Sequence, residues 1–282
     1  MTPIERYALD GTGEIFVKRE DLACLSPGPP FAKVRGLWSR LQKLKAQGVS
    51  TVGYMDTSIS MAGWGISYFC QKLSMRAVIY YPKRKDGGLP HNLEEHTKKW
   101  AGFGAVVRPL ERPNRLSINW YRARKQLVEE FPGAVMLEQG LPFEETVKEV
   151  AEELRKTPAG LLTGTLVSCV GSGTMLAGVL RGLRGLGVDP VVYGVLVSPK
   201  DPQKMLQNIC AKACIPYSPP GTCSLFAPPK IHIIDTGAKY EEIATVSAPF
   251  PCNAYYDAKA WGWATRNYGA LKKPVLFWNI GA

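Results

Sequence analysis

The chain has 282 residues, of which 45% are hydrophobic and 21% charged, a composition typical of a globular protein with one large domain or two modest ones. Its formal net charge of +11 favours contact with polyanions, including nucleic acid, but specifies no fold. No apolar run reaches the roughly 18 residues that a membrane-spanning helix needs, and the first residues lack the apolar core of a signal peptide. We therefore expect a cytoplasmic protein without membrane contact.

Strand and helix patterns alternate along most of the chain. Strands are predicted over residues 14–20, 51–55, 76–82, 105–110, 134–139, 164–170, 190–197 and 230–235. Helices are predicted over residues 34–48, 63–73, 92–104, 114–131, 142–156 and 175–187. Such a series predicts an α/β fold with doubly wound, mostly parallel sheets. The Pro-rich segment 215–230 is predicted to be a surface loop.

The seven cysteines are scattered, and their only cluster comprises Cys210, Cys214 and Cys223. A zinc site normally needs four ligands, usually in close pairs, and the nearest further candidate, His232, is distant in sequence. We expect reduced thiols and no metal.

A glycine-rich turn lies within "CVGSGTMLAGVLRGL", residues 169–183, between a predicted strand and a predicted helix. Backbone N–H groups and a helix N-terminus converge in such a turn, and together they bind phosphate. The segment lacks GK[ST] and the G-x-G-x-x-G spacing, which argues against a nucleotide P-loop or a dinucleotide motif. A tight strand–helix turn without a ligand is the alternative.

Lys33 lies in "SPGPPFAKVRGLWSRL", residues 26–41, where a Pro/Gly-rich turn meets a predicted helix. A lysine at such a boundary, combined with a phosphate-binding turn, suits pyridoxal phosphate, because the amine forms a Schiff base with the aldehyde. A solvated surface lysine is the alternative for this residue considered alone.

Several segments together resemble fold-type II pyridoxal-phosphate enzymes, the tryptophan synthase β superfamily. They are "FVKREDL" (16–22), "FAKVRGL" (31–37), the glycine-rich turn, "AYYDAKAWGWATR" (254–266) and "PVLFWNIGA" (274–282). The chain is most similar to the aminocyclopropane-carboxylate deaminase and D-cysteine desulfhydrase branch. The resemblance implies a large cofactor-binding subdomain (1–47 plus 139–282), a small subdomain (48–138) and a homodimer.

The same resemblance implies roles for individual residues. Lys33 would carry the cofactor as an internal aldimine and, once released, move the α-proton. Tyr256 would face the substrate, and Asp257 would lie beside the pyridine nitrogen and favour the protonated ring. A helix N-cap is the alternative role for Asp257. The residues that would hold the cofactor phosphate are Gly171, Ser172, Gly173 and Thr174.

The loop "DTSISMAGWG", residues 56–65, departs from the family pattern. Relatives contact the cofactor ring and bind the substrate carboxylate there with a Ser/Thr-x-Asn-type sequence. The corresponding substrate-binding candidates are Ser58, Ser60 and Met61, with Ser60 also facing the cofactor. Because a methionine forms no useful hydrogen bond to a carboxylate, the cofactor apparatus is better preserved than the carboxylate site.

Three functions remain open at this stage. The first is a lyase, deaminase or decarboxylase acting on a free amino acid. The second is the same chemistry on an amino-acid-modified base in DNA, as in viral thymine hypermodification, for which a basic cleft with stacking aromatic side chains would be suited. The third is a non-catalytic relic of the fold. The candidate stacking residues are Trp38, Trp64, Trp261, Trp263 and Tyr255.

Overall fold

The computed structural model describes residues 1–9, 11, 13–57, 59–83, 92–110, 115–217 and 230–282. The chain forms two compact units. The larger comprises Met1–Leu25, Pro30–Gly36 and Phe143–Ala282, and the smaller comprises Ser26–Pro29 and Leu37–Pro142. The sequence prediction kept residues up to 47 in the larger subdomain, whereas the structural division assigns the chain from Leu37 onward to the smaller unit.

The helices and strands follow the predicted alternation closely. The strands are β1 Ile4–Leu9, β2 Gly13–Arg19, β3 Thr51–Met55, β4 Arg76–Pro82, β5 Val106–Leu110, β6 Val135–Met136, β7 Thr165–Val170, β8 Val191–Leu196, β9 Ile231–Ile234 and β10 Val275–Asn279. The helices are α1 Val34–Ala46, α2 Ala62–Lys72, α3 Leu93–Gly102, α4 Leu116–Glu130, α5 Glu144–Arg155, α6 Thr174–Leu186, α7 Pro202–Ala213 and α8 Asp257–Arg266. Short 3-10 helices span Glu20–Ala23, Ala159–Leu162 and Tyr268–Ala270.

The larger unit is built on a six-stranded sheet with the order β1-β2-β10-β7-β8-β9. Every pair in it is parallel except β1 with β2. Alternate residues of β7 enter two hydrophobic clusters, with Leu166 and Val170 in the cluster that contains α5 and α6 residues, and Val167 and Cys169 in the cluster that contains α8 residues. Both faces of the sheet are therefore covered, which confirms the predicted doubly wound α/β class.

The smaller unit contains a four-stranded parallel sheet with the order β5-β4-β3-β6. Val78 and Tyr80 of β4 are fully buried, and they pack in one cluster with Met55 at the end of β3. Ala123 and Leu127 of α4 complete the cluster. The cluster fixes the end of β3, from which the loop at residue 56 leaves the sheet.

Three elements differ from the sequence prediction. The edge strand β1 and the helix α7 were not predicted, although Asp201 and Pro202 form a standard start signal for α7, in which the Asp201 carboxylate accepts hydrogen bonds from two backbone amides. Strand β6 covers only two of the six predicted residues. The chain then turns at Gly140 and Leu141, which adopt positive φ angles of 74° and 49°.

Within the described residues no helix is both long and apolar enough to cross a membrane. The same ranges contain no group of three His, Cys, Asp or Glu side chains arranged to hold a metal ion. Cys223 of the cysteine cluster lies outside the described residues, as do residues 218–229 of the Pro-rich segment.

Candidate cofactor site

The chain on the N-terminal side of Lys33 is held by the segment that follows β10. Residues 30–32 run beside residues 280–282, and the Ala32 N–H donates to the Ile280 carbonyl over 2.9 Å. Phe31 and Gly281 form an isolated antiparallel bridge. The position of Lys33 is therefore tied to the centre of the larger sheet through β10.

A buried ion-pair network holds the chain on the other side of the lysine. The Arg35 guanidinium lies 3.1 Å from Glu20 and 3.6 Å from Glu153, and Glu153 also pairs with Lys18 over 2.7 Å. Burial alone would raise the pKa of Glu153, but hydrogen bonds from Lys18 and the Thr2 N–H, together with both cations, lower it to about 2. The network is therefore charged at neutral pH and anchors the first turn of α1.

Close helix packing adds a third constraint. Gly36 has no side chain, and a Cβ at this position would collide with the backbone of Thr146 in α5. The first turn of α1 can therefore approach α5 only with glycine here. With both neighbours fixed, Lys33 is held where the turn meets the helix.

The glycine-rich turn, here called the phosphate loop (residues 171–174), connects β7 to α6. Gly173 adopts a φ of 78°, which glycine tolerates without strain. The Ser172 hydroxyl lies 3.0 Å from the hydroxyl of the fully buried Thr174 and accepts a hydrogen bond from Lys33 Nζ over 3.1 Å. The structure thus brings together the predicted amine and the predicted phosphate-binding residues.

The Lys33 amine has a shifted protonation equilibrium. Loss of hydration around Nζ lowers its pKa from 10.5 to about 8; Cys169 opposes this shift, and the positive charges of Lys212 and Lys200 make smaller contributions to lowering it. A substantial neutral fraction therefore exists near physiological pH, and the neutral amine is the form that attacks an aldehyde.

Asp257, the first residue of α8, is completely buried. Its Oδ1 accepts hydrogen bonds from the Ile280 N–H over 2.9 Å and from the Cys169 thiol over 3.4 Å. None of the described residues gives Oδ2 a hydrogen-bond partner. Burial raises the pKa of Asp257 to about 7, although the two hydrogen bonds oppose this change.

The unpaired oxygen of Asp257 provides a test of whether pyridoxal phosphate fits. A buried acceptor without a partner costs about 1–3 kcal/mol, so such an atom calls for a ligand that can donate to it. A protonated pyridine nitrogen is such a donor, and Lys33 and the phosphate loop supply the amine and the phosphate contacts. The alternative role as an N-cap is not observed, since Tyr256 occupies the N-cap position and α8 has no side-chain cap.

Tyr256 precedes Asp257 and is half-buried. Its hydroxyl lies 2.5 Å from the hydroxyl of Tyr240, and the two rings meet edge to face with their centroids 5.8 Å apart. The tyrosine pair is held by both packing and a hydrogen bond, so Tyr256 has a defined orientation. Its role towards the substrate stays a prediction.

The smaller unit contains the Asp56 loop, residues 56–62, in which Ser58 lies outside the described residues. Asp56 is completely buried, and its two oxygens accept hydrogen bonds from the backbone N–H groups of Thr57 (2.8 Å) and Gly63 (2.6 Å). Ser60 accepts a hydrogen bond from the Ala62 N–H over 3.1 Å. The first amides of α2 are thus already bonded within the loop.

Asp56 and Met61 have different places in this loop. Burial raises the pKa of Asp56 to about 7, while the bonds from Thr57, Gly63 and Ser60 oppose the shift. Met61 is half-buried at the N-cap position of α2 and adds no side-chain hydrogen bond there. The predicted roles of Ser60 and Met61 in binding cofactor or substrate stay predictions.

The candidate stacking aromatics divide into packed and partly open residues. Trp261 is 2% exposed and belongs to the core below α8, so its assignment to an open surface was wrong. Trp263 packs against Tyr193 and Trp38 against Phe69, with ring centroids 4.9 and 5.3 Å apart. The remaining two, both half-buried, are Trp64 and Tyr255.

Sequence reasoning missed several residues around these sites. Asp56 directly follows a buried strand, a position at which catalytic and binding groups often lie, and it was a detectable signal. Cys169 precedes the glycine-rich turn but was interpreted only as a buried thiol. Lys200 and Lys212 donate hydrogen bonds to carbonyls of the phosphate loop. They lie just before and in the last turn of α7, a helix that was not predicted.

Comparisons with known proteins agree with this geometry. The family described as pyridoxal-phosphate dependent enzyme matches residues 1–224. A protein named glycyl-dTMP PLP-dependent decarboxylase, from Pseudomonas phage M6, is 35% identical over 289 residues, covering 99% of this chain and 98% of that protein. The matched region thus spans almost the whole chain.

Solved structures share the fold at low sequence identity. An ACC deaminase homologue superimposes with a TM-score of 0.75 at 18% identity, covering 99% of this chain and 89% of its own. The O-acetylserine dependent cystathionine beta-synthase from Helicobacter pylori gives a TM-score of 0.64 at 17% identity, covering 100% of this chain and 92% of its own. By its sequence match and its fold, the chain belongs to the pyridoxal-phosphate dependent enzymes of fold-type II, and its cofactor is pyridoxal phosphate.

Proposed function

We propose that the protein is a decarboxylase that removes the carboxyl group of an amino acid attached to a thymine nucleotide, either free or within DNA. The observation that carries the proposal is the Asp56 loop. By the family resemblance this loop receives the substrate carboxylate, yet two of its backbone donors, the Ala62 N–H and the Gly63 N–H, are bonded to Ser60 and Asp56.

These two amides are therefore not available to a substrate carboxylate. Met61 contributes a thioether in place of a hydrogen-bond donor. The buried Asp56 adds a negative charge whenever it is ionised, and like charges repel strongly where water is excluded. An enzyme that retains the carboxylate through its reaction needs donors at this point, whereas one that expels CO₂ gains rate from a carboxylate that is weakly held.

The residues of the larger unit supply the remaining roles. Bound pyridoxal phosphate would supply an electron sink for the pair left on the α-carbon when its bond to the carboxyl carbon breaks. Lys33 Nζ, whose pKa is about 8, can hold a proton and deliver it to the α-carbon. Asp257 Oδ2 would hold the proton of the ring nitrogen, and the hydroxyls of Ser172 and Thr174 would bind the phosphate.

The nucleotide carrier is inferred from the relative and from charge. The phage protein is named for glycyl-dTMP, and the present chain is similar to it over 99% of its length. A net charge of +11 suits a substrate that carries phosphate, whether a mononucleotide or a DNA strand. Contact with DNA and a homodimeric assembly both stay predictions.

A product assay with matched substrates tests the proposal. Purified protein is supplied with pyridoxal phosphate and with glycyl-dTMP, oligonucleotide carrying the same adduct, or free amino acids, each labelled with ¹³C at the carboxyl carbon. We expect one labelled CO₂ per adduct molecule consumed and no release of ammonia or a keto acid. Lys33→Ala provides the control for the cofactor-dependent reaction. Turnover of free amino acids alone would overturn the nucleotide proposal.

A second candidate function is elimination or deamination of a free small amino acid. The observation that favours it is the ordered pair of Tyr256 and Tyr240, since Tyr256 matches a tyrosine that faces the substrate in the deaminase branch. In the same assay this function would yield ammonia with the labelled carboxyl carbon retained in the product. The two functions therefore differ in where the label appears.

A further inference from the structure

The helix α7 packs directly against the phosphate loop. A Cβ built on Gly173 would lie 2.6 Å from Cγ1 of Ile209 and 3.3 Å from the sulfur of Met205. Both α7 residues belong to the buried core. The position of α7 is fixed at its start by the Asp201 cap.

Two lysines at opposite ends of α7 reach successive carbonyls of the phosphate loop. Lys200, which precedes the cap, donates to the Gly171 carbonyl over 2.6 Å. Lys212, in the last turn, donates to the Ser172 carbonyl over 2.7 Å. Both are charge-assisted hydrogen bonds, which are stronger than those between neutral groups.

Because the peptide bond is planar, each of these contacts also fixes the direction of the N–H group in the same peptide. In a trans peptide the C=O of one residue and the N–H of the next point in opposite directions. A lysine that holds the Gly171 carbonyl therefore turns the Ser172 N–H away from itself. By the same geometry, Lys212 turns the Gly173 N–H away from its own side of the loop.

We propose that Lys200 and Lys212 are positioning residues that aim the Ser172 and Gly173 amides at the cofactor phosphate and offset part of its negative charge. The proposal concerns cofactor capture alone, so it stands whether or not the substrate is a nucleotide. It assigns α7 a specific task, because Lys200 directly precedes the cap of this helix, Lys212 lies in its last turn, and the residues that contact Gly173 lie between them.

A pair of ligands that differ only in the phosphate tests the proposal. Cofactor-free protein is titrated with pyridoxal phosphate and with pyridoxal, and the affinity is measured for wild type, Lys200→Met, Lys212→Met and the double variant. Lys204→Met is the matched control, because Lys204 is on α7 but is exposed and pairs with Asp201. We expect Lys212→Met to weaken pyridoxal phosphate binding about tenfold, and Lys200→Met somewhat less because it is more exposed.

The affinity for pyridoxal should change less than about twofold in every variant, because pyridoxal has no phosphate for the loop to bind. Equal losses for both ligands would overturn the proposal, because they would indicate a general disturbance of the site. Unchanged affinity for pyridoxal phosphate in the double variant would overturn it as well.

Two further readouts separate positioning from general structural support. Lys212→Arg keeps the charge and a donor, so it should restore most of the affinity lost in Lys212→Met. The rate of covalent capture of the cofactor should shift to higher pH in Lys212→Met, since the Lys212 charge helps to lower the pKa of Lys33. If Lys212→Met does not fold, the Lys200→Met comparison decides, because that side chain is exposed and its removal leaves the core intact.

Discussion

Among the described residues, each unit of the molecule contains one fully buried aspartate whose pKa burial raises to about 7, but the two carboxyl groups are satisfied differently. In the smaller unit both oxygens of Asp56 accept backbone hydrogen bonds, from Thr57 and Gly63. In the larger unit one oxygen of Asp257 is bonded to Ile280 and Cys169, while the other has no partner among the described residues.

The difference separates a structural carboxyl group from one prepared for a ligand. A fully bonded carboxyl group stabilises the loop around it and offers nothing to an incoming molecule. An unpaired buried oxygen costs free energy in the empty protein, and a bound donor recovers that cost. We therefore propose Asp257 as the partner of a ligand donor, whereas the hydrogen bonds of Asp56 hold the loop in its shape.

In the larger unit, which holds the candidate cofactor site, Lys33→Ala should have the largest effect on activity. Without the amine no covalent attachment forms, so activity should fall at least about a thousandfold. The measurement is product formation together with the absorbance of bound cofactor near 400 nm. Lys148→Ala, an exposed lysine on α5, is the control. A Lys33→Ala protein with full activity would remove Lys33 from the mechanism.

Asp257→Asn should have the next largest effect, with opposite signs for activity and stability. Loss of the carboxylate beside the ring nitrogen weakens the electron sink, so activity should fall about a hundredfold. The pKa of Asp257 is raised on folding, so its contribution to stability is full below about pH 4 and is lost as the pH rises through about 7. The cofactor-free variant should match wild type at pH 5 or be slightly more stable.

At pH 8 the same variant should be more stable than wild type. The gain should be on the order of a few kcal/mol, because asparagine carries no unpaired charge. Urea unfolding of the cofactor-free proteins at pH 5 and pH 8 measures the difference. A variant that is less stable than wild type at pH 8 would contradict the interpretation of Oδ2 as an unpaired atom.

Asp56→Asn should show the contrasting behaviour in the smaller unit. An asparagine can accept only one of the two backbone hydrogen bonds, and its amide then faces a second donor. The lost hydrogen bond should cost about 1–3 kcal/mol; relief of the raised pKa offsets part of this cost at pH 5, as it does for Asp257→Asn, so the two variants should differ by about the cost of the hydrogen bond. The same unfolding series measures it, with Asp257→Asn as the matched partner. If Asp56→Asn and Asp257→Asn have equal free energies of unfolding at pH 5, the two aspartates do not differ in hydrogen bonding as the structure indicates.

The contrast also marks how far the sequence could predict the site. Lys33 and the phosphate loop were predicted from local sequence signals, namely a turn before a helix and glycines after a strand, whereas the role of Asp257 was predicted from the family resemblance. The unpaired state of Asp257 could not be predicted, since it depends on Ile280 and Cys169, which are distant in sequence. Asp56 had a local signal at the end of β3, but its two bonds depend on how the loop folds back.

The same reasoning applies to the fold. Parallel strands and the long amphipathic helices were predicted from periodicity, which arises locally. Strand β1 carries Glu5 and Arg6 on an edge position, where charged residues are tolerated, so its pattern is weak. The tasks of Lys200 and Lys212 follow from the packing of α7 on Gly173, a tertiary contact that no local pattern encodes.

Met61→Asn should have the smallest effect on activity, and it tests the proposed binding of the substrate carboxylate at the Asp56 loop. The amide would add donors to a loop whose own amides are already bonded, so a substrate carboxylate would be held more firmly. We expect the rate of CO₂ release to fall about threefold to tenfold and the affinity for free amino acids to rise by a similar factor, the worth of one added hydrogen bond. Steady-state kinetics with the adduct and with glycine measure both changes.

Met61→Leu is the matched control for this variant, because leucine has a similar size and also lacks a donor. It should behave like wild type with both substrates. If leucine and asparagine slow CO₂ release equally, the methionine acts through its shape, and weak binding of the carboxylate is not the source of the rate. If only asparagine does so, the absence of a donor at residue 61 distinguishes this loop from that of relatives that retain the carboxyl group.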